Sequence, residues 1–413
     1  MKKKKIFLDV VFNLVANVIP IAVLQLFVLP NVSKLLGDEK YGFIVTIVAL
    51  MNLVPATIGN ALNNIRLIRQ KDCKDGERND FQLLFLISSI CNIVSVFILS
   101  IFYSSSFDII TILLILLMSI LWLCHEYYVV SYRIALNFLF ILLDNVCLSA
   151  GFLLGFLLLK YCSMPWQFVF VVGYGLSFLF IFFTSKLMRE RVSKTCLFKA
   201  IGLDFLILLI ANFISRAVGY VDRLILYPIL GGHSVSVYYS ASIFSKIMGL
   251  AVTPLTSVLL SYLSKMENVK KKVFIYSIII ASVFSLVACV CSILLARPLL
   301  GYLYPEYVDE AIAFVPILSV AMFFSTIVSV INPFVLKFCK MKWQIIMNLI
   351  ILVFYVSVCL ILLTQYGLIG FCVGTAVTYA LKMIIQIVVY RLFSAKKNSQ
   401  LVEETAPNEK LKV

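Results

Sequence analysis

Residues 212 to 223 read NFISRAVGYVDR, inside a long oily run. On a helix, Asn212, Arg216, Tyr220 and Arg223 share one face. An arginine there can hold an oxyanion with two parallel hydrogen bonds, and amide and phenol groups suit hydroxyl-rich solutes. A second polar stripe follows in the next apolar run: Tyr238, Ser242, Ser245 and Lys246. Lys382 is a third cation within an apolar run, in TYALKMIIQ. The first apolar run presents Asp9, Asn13 and Asn17 at i, i+4 and i+8. Ionised side chains at bilayer depth are costly and usually face water or a partner. The pattern therefore expects Arg216 and Lys246 to bind an anionic group, with Asn212, Tyr220, Asn13, Asn17, Tyr238, Ser242 and Lys382 around it.

Plainer readings stand beside this one. Arg216 could pair with Asp222 or Asp9. Lys246 and Lys382 could snorkel to an interface. The asparagines could join helices, and Asp222-Arg223 could be a local ion pair at a helix end. Asp144, in ILLDNVCLSAG, is open between a proton or cation coupling site and a satisfied helix-interior acid. Asp9 is the second coupling candidate. The coupling ion, proton or sodium, is not legible, and no cofactor is expected. No catalytic residue is expected either. The two histidines, His125 and His233, form no zinc spacing with the eleven cysteines, and no CxxC occurs.

Composition says what must position these residues. Hydrophobic residues make up 62% of the chain and charged residues 13%, against about 25% charged in globular proteins. A surface so poor in charge belongs in a bilayer. A net charge of +15 would suit nucleic acid only if gathered on a soluble face. Here the cations form short clusters between apolar runs, so no nucleic-acid partner is expected. The N-terminal MKKKKIFLDVVFNLV resembles a secretory signal, but its apolar run continues to Leu29 without a small-residue cleavage site, which predicts an uncleaved spanning helix.

Twelve segments are long and apolar enough to span. They lie near 7–29, 41–62, 81–103, 108–128, 138–159, 165–185, 203–225, 236–261, 273–295, 311–332, 343–363 and 367–391. With the N-terminus inside, most of the 35 basic residues fall on the cytoplasmic side, and the opposite side holds only Lys34, Lys40, Lys160, Arg223 and Arg297. The positive-inside rule then places both ends in the cytoplasm. The loop near 63–80 reads as simply polar, the longest outer loops are expected near 30–40, 226–235 and 296–310, and 394–413 as a disordered tail.

The chain also repeats itself. DVVFNLVANVI (9–19) aligns without gaps with DFLILLIANFI (204–214), and LPNVSKLLGDEKYG (29–42) parallels LILYPILGGHSVSVYY (224–239). Six helices per half makes the repeat parallel, about an axis along the membrane normal. The expected fold is all-α and integral to the membrane. Two six-helix bundles, 1–193 and 194–393, meet at a central cleft.

LLGDEKYG, VGYVDRLILYPILGG, the tyrosine-rich start of the eighth segment, LLGYLYPEYVDEA and YGLIGFCVGTAVTYAL resemble Wzx-type O-antigen flippases. These belong to the multidrug/oligosaccharidyl-lipid/polysaccharide exporter superfamily, so the resemblance implies a MATE-like fold over essentially the whole chain. It also implies the cargo: an undecaprenyl-diphosphate-linked oligosaccharide, moved across the bacterial cytoplasmic membrane by alternating access. Membrane lipid, and polysaccharide polymerase machinery, are partners such a function admits. A multidrug exporter of the same superfamily is the alternative, though it would favour acidic cavity residues. An integral-membrane polymerase or glycosyltransferase fits less well: no large outer loop and no cytoplasmic DxD pair stand in the sequence.

Overall fold

The computed structural model describes residues 12, 15–70, 80–104, 108–195, 197–264, 271–339 and 341–405. Helices dominate. They are α1 (Val15–Leu36), α2 (Asp38–Arg69), α3 (Asp80–Tyr103), α4 (Ile109–Ile134), α5 (Phe138–Cys162), α6 (Phe168–Thr184), α7 (Phe198–Ala241), α8 (Ile243–Ser264), α9 (Lys271–Leu294), α10 (Ala296–Leu303), α11 (Val308–Phe338) and α12 (Met341–Thr405). The two longest, α7 and α12, far exceed what a bilayer requires, and each contains a glycine outside helical geometry: Gly231 in α7 (φ 80°) and Gly367 in α12 (φ 59°). Those breaks separate the expected segments 203–225 from 236–261 and 343–363 from 367–391. The fold is all-α and multi-spanning.

The described residues group into two compact units. One runs to Tyr239 and adds Tyr302–Tyr307; the other is Ser240–Gly301 with Val308 onward. In the first, α5 lies so close to α6 that a Cβ on Gly151 would overlap Gly173, and one on Gly155 would overlap Val169. Small residues permit such contact where no hydrophobic effect drives helices together. Trp122 of α4 stacks on Tyr174 of α6 at 4.4 Å between centroids. On the opposite side of α3, Phe102 is 67% exposed and Ile90 62%, as lipid-facing residues are in a structure without a bilayer. In the second unit, Phe274 stacks on Tyr390 at 4.0 Å, Phe334 closes on both, and Ser292 hydrogen-bonds Ser319 at 2.6 Å.

The expected outer loops near 30–40 and 226–235 are helical apart from one glycine each, and 296–310 is mostly short helix. Gly37 (φ 77°, ψ 174°) and Gly231 (φ 80°, ψ 178°) adopt nearly the same rare backbone, which favours a residue without Cβ. They occupy corresponding places in the two repeated stretches, after Leu36 and Leu230. The two elbows also touch. The Gly232 amide donates to Glu39 at 3.0 Å, Ser236 donates to the Asp38 carbonyl at 2.7 Å, and His233 Nδ1 lies 2.7 Å from Asp38. A Cβ on Gly42 would overlap the Gly232 carbonyl.

The start of the expected 63–80 loop is helical to Arg69, and Arg66 is no solvated loop cation. It is fully buried, donates to both oxygens of Glu190 at 2.6 and 2.7 Å and to the Tyr127 hydroxyl at 2.9 Å, and faces the Phe81 ring at 5.2 Å. Gln82 donates to the Leu187 carbonyl at 2.5 Å, and Asp80 accepts from the Thr195 amide at 2.7 Å. These bonds fasten the segment before α7 to the ends of α2 and α3. Removing one partner strands the other charge in low dielectric, at about 3–5 kcal/mol. Glu190→Ala should therefore lower thermal stability in detergent sharply, read by scanning fluorimetry. Arg66→Met with Glu190→Leu should recover most of the loss, since an apolar pair leaves no orphan charge.

Candidate substrate cavity

A cavity of about 480 Å³ lies inside the first unit, walled by α1, α2, α4, α5, α6 and α7. α7 contributes Arg216, Tyr220 and Arg223, the face read from the sequence. α2 contributes Asn52, Asn60 and Asn63, and α4 contributes Trp122, His125, Glu126 and, near its C-terminal end, Arg133. From α1 come Asn17 and Gln25. Gln25 sits in a π-helical turn, Val23–Val28, a distortion common at functional sites. It accepts the Tyr239 hydroxyl at 2.6 Å.

Three guanidinium groups and one carboxylate therefore line one chamber, among amides and aromatic rings. Arg216 is half-buried and makes no hydrogen bond or ion pair within the described residues. The pairing with Asp222 goes to Arg223 instead, 3.8 Å away. Arg223 is buried, lies 4.7 Å over the Tyr239 ring and 6.0 Å over Tyr220, and lines the chamber as well. Arg133 donates to Asn63 at 3.0 Å, and Asn63 donates to the Glu126 carbonyl at 3.0 Å. This network holds one cation and leaves Arg216 unbonded. The lining thus offers oxyanion binding from Arg216, sugar-compatible amides, and rings on which a pyranose face can stack.

Asp144 is fully buried behind this lining. Ser177 of α6 donates to its Oδ1 at 2.6 Å, and His125 Nδ1 lies 2.7 Å from the Ser177 hydroxyl. The Asp144 Oδ2 has no hydrogen bond and stands 3.3 Å from His125 Nδ1. The hydroxyl gives its one proton to Asp144, so Nδ1 of His125 is the protonated nitrogen in this network. Nε2 is then free to take a proton, and the imidazolium would sit beside a carboxylate.

The other residues singled out from the sequence fall as follows. Asn212 lies at the edge of the α2–α7 seam, its amide 3.4 Å from Asn60. Asn17 and Tyr220 line the chamber. Tyr238 is buried in the first unit outside the lining. Ser242, Lys246 and Lys382 belong to the second unit, where each is half-buried. Asp9 and Asn13 lie outside the described residues. Sequence reasoning missed His125, Glu126, Asn145 and the α2 amides. Asn52, Asn60 and Asn63, at i, i+8 and i+11 in an apolar helix, were a readable signal. Among the described residues, no group of three or more His, Cys, Asp or Glu could hold a metal ion.

These helices form an all-α, multi-spanning membrane fold with a polar chamber inside its first unit. An inward-facing multidrug resistance MATE family transporter of the MOP superfamily superposes with TM-score 0.70 at 14% identity, covering 96% of each chain. Lipid II flippase MurJ in an inward closed conformation gives 0.68 at 16%, covering 97% of this chain and 91% of its own. The Vibrio cholerae MATE transporter VcmN in the bent form gives 0.64 at 14%, covering 96% of this chain and 97% of its own. At such identities the likeness establishes the fold. No protein-family model and no curated protein matches the chain.

Proposed function

We propose that the chain is a flippase that moves an undecaprenyl-diphosphate-linked oligosaccharide across the cytoplasmic membrane for O-antigen, capsule or exopolysaccharide assembly. The observation that carries this reading is the chamber: three arginines against Glu126, with amides and rings between them. A diphosphate is an anion that must cross a low-dielectric slab. Arg216 meets it with a two-pronged donor, Asn17 and Tyr220 meet the sugars with Asn212 beside them at the α2–α7 seam, and the prenyl chain stays in lipid. Tyr238, Ser242 and Lys246 from the second polar stripe, the separate cation Lys382, and Asn13 of the first apolar run belong to the same reading. The two lobes are 1–193 and 194–393, with both termini cytoplasmic, and Asp144 and Asp9 are the coupling acids. Polysaccharide polymerase machinery would receive the product.

A multidrug exporter is the second reading, and the fold likeness favours it, since MATE transporters recur among the similar solved structures. The chamber's charge speaks against cationic drugs. Deletion of the gene should make a lipid-linked saccharide accumulate on the inner leaflet, with drug susceptibility unchanged. Unchanged saccharide pools with heightened sensitivity to cationic drugs would reverse the choice.

A further inference from the structure

A second space, about 560 Å³, lies between α3 and α7, with Ile58 of α2 at its base, and is almost wholly apolar. Its floor is Ile58, Leu84 and Phe205, all buried, and its rim is Ile87, Leu203 and Leu206, 43–55% exposed. Gly202 opens the middle: a Cβ there would meet nothing within 4 Å. One end is capped by Lys194 and Lys199, both exposed, with no acidic partner among the described residues; the Lys194 ammonium lies 5.8 Å over the Phe198 ring. From Lys199 to Leu209 the groove follows α7 for about 15 Å at 1.5 Å per residue, which is the hydrocarbon depth of one leaflet, about half of 30 Å.

We infer that this groove is a binding site for an anionic bilayer phospholipid, one acyl chain lying along α7 and the phosphate held between Lys194 and Lys199. Length selects that occupant. The groove takes one leaflet-deep chain and falls far short of a long prenyl tail. Charge selects the headgroup, because two unpaired lysines at the polar end of an apolar slot attract phosphate. The site faces lipid and is independent of what the inner chamber carries.

The test uses the full chain in detergent, equilibrated with equal amounts of phosphatidylglycerol and phosphatidylcholine and read by native mass spectrometry. One phosphatidylglycerol should survive mild delipidation. Lys194→Ala with Lys199→Ala should weaken retention about 25-fold, at about 5-fold per lysine. Gly202→Phe should abolish retention with both lysines in place, because the ring fills the slot; both sites are exposed or open, so folding is spared. Equal retention of the two lipids, undiminished phosphatidylglycerol in either variant, or its displacement by an equimolar polyprenyl phosphate would each overturn the assignment.

Discussion

Arg216→Ala is expected to cut transport of the lipid-linked saccharide about ten- to hundredfold while leaving the protein folded and in the membrane at normal abundance. Hydrogen bonds to a charged group contribute about 1.5–3 kcal/mol, and every 1.4 kcal/mol is a factor of about ten. The fold should tolerate the change because Arg216 is half-buried and anchors nothing among the described residues. Arg216→Lys should be intermediate: the charge persists, but the planar fork is gone. Glycan export in cells, normalised to membrane abundance, reads both. Full export by Arg216→Ala would remove the arginine from the cargo path. A comparable loss in Arg133→Ala with none in Arg216→Ala would move the oxyanion site to Arg133.

Asp144→Asn should separate cargo binding from its energetic coupling. The asparagine carbonyl can still accept the Ser177 hydroxyl, so the α5–α6 contact survives. The negative charge 3.3 Å from His125 does not. A proton arriving at the pair then meets no carboxylate to balance it. Gradient-driven transport should fall at least tenfold and its dependence on pH should flatten, while saccharide binding changes little. His125→Gln should flatten the same profile. A pH profile unchanged in both variants would leave Asp144 as a structural acid alone.

Much of the fold was legible because its signal is local. An apolar run of spanning length needs no knowledge of its neighbours, so the twelve segments could be read from hydropathy. Leu36-Gly37 and Leu230-Gly231 stood out as a repeated pair, and their matching backbone is what the repetition encodes. The Arg216 face was visible because helical spacing is a property of one segment. What sequence could not supply was pairing between segments. Arg66 looked like one more inner-side cation, and its partner Glu190 lies 124 residues away. His125, Ser177 and Asp144 come from three helices, and no spacing rule joins them. Arg133, isolated in the sequence, reaches the chamber at the end of α4 and is held there by Asn63 of α2, 70 residues away. The outer connections were read as loops because their polar residues suggested turns. The chain instead keeps its backbone hydrogen bonds in helix and turns sharply on single glycines.

The π-turn of α1 has a consequence for protein engineering. It accommodates one surplus residue between Val23 and Val28. Because a π turn absorbs its extra residue with little rotation of the helix upstream, excising a single residue there would restore ordinary winding and leave Asn17 facing the chamber. A deletion between Asn17 and Val23, in regular helix, would instead rotate Asn17 by about 100° out of the chamber wall, so a change of length is silent where the π turn can take it up and rewrites the chamber lining where it cannot.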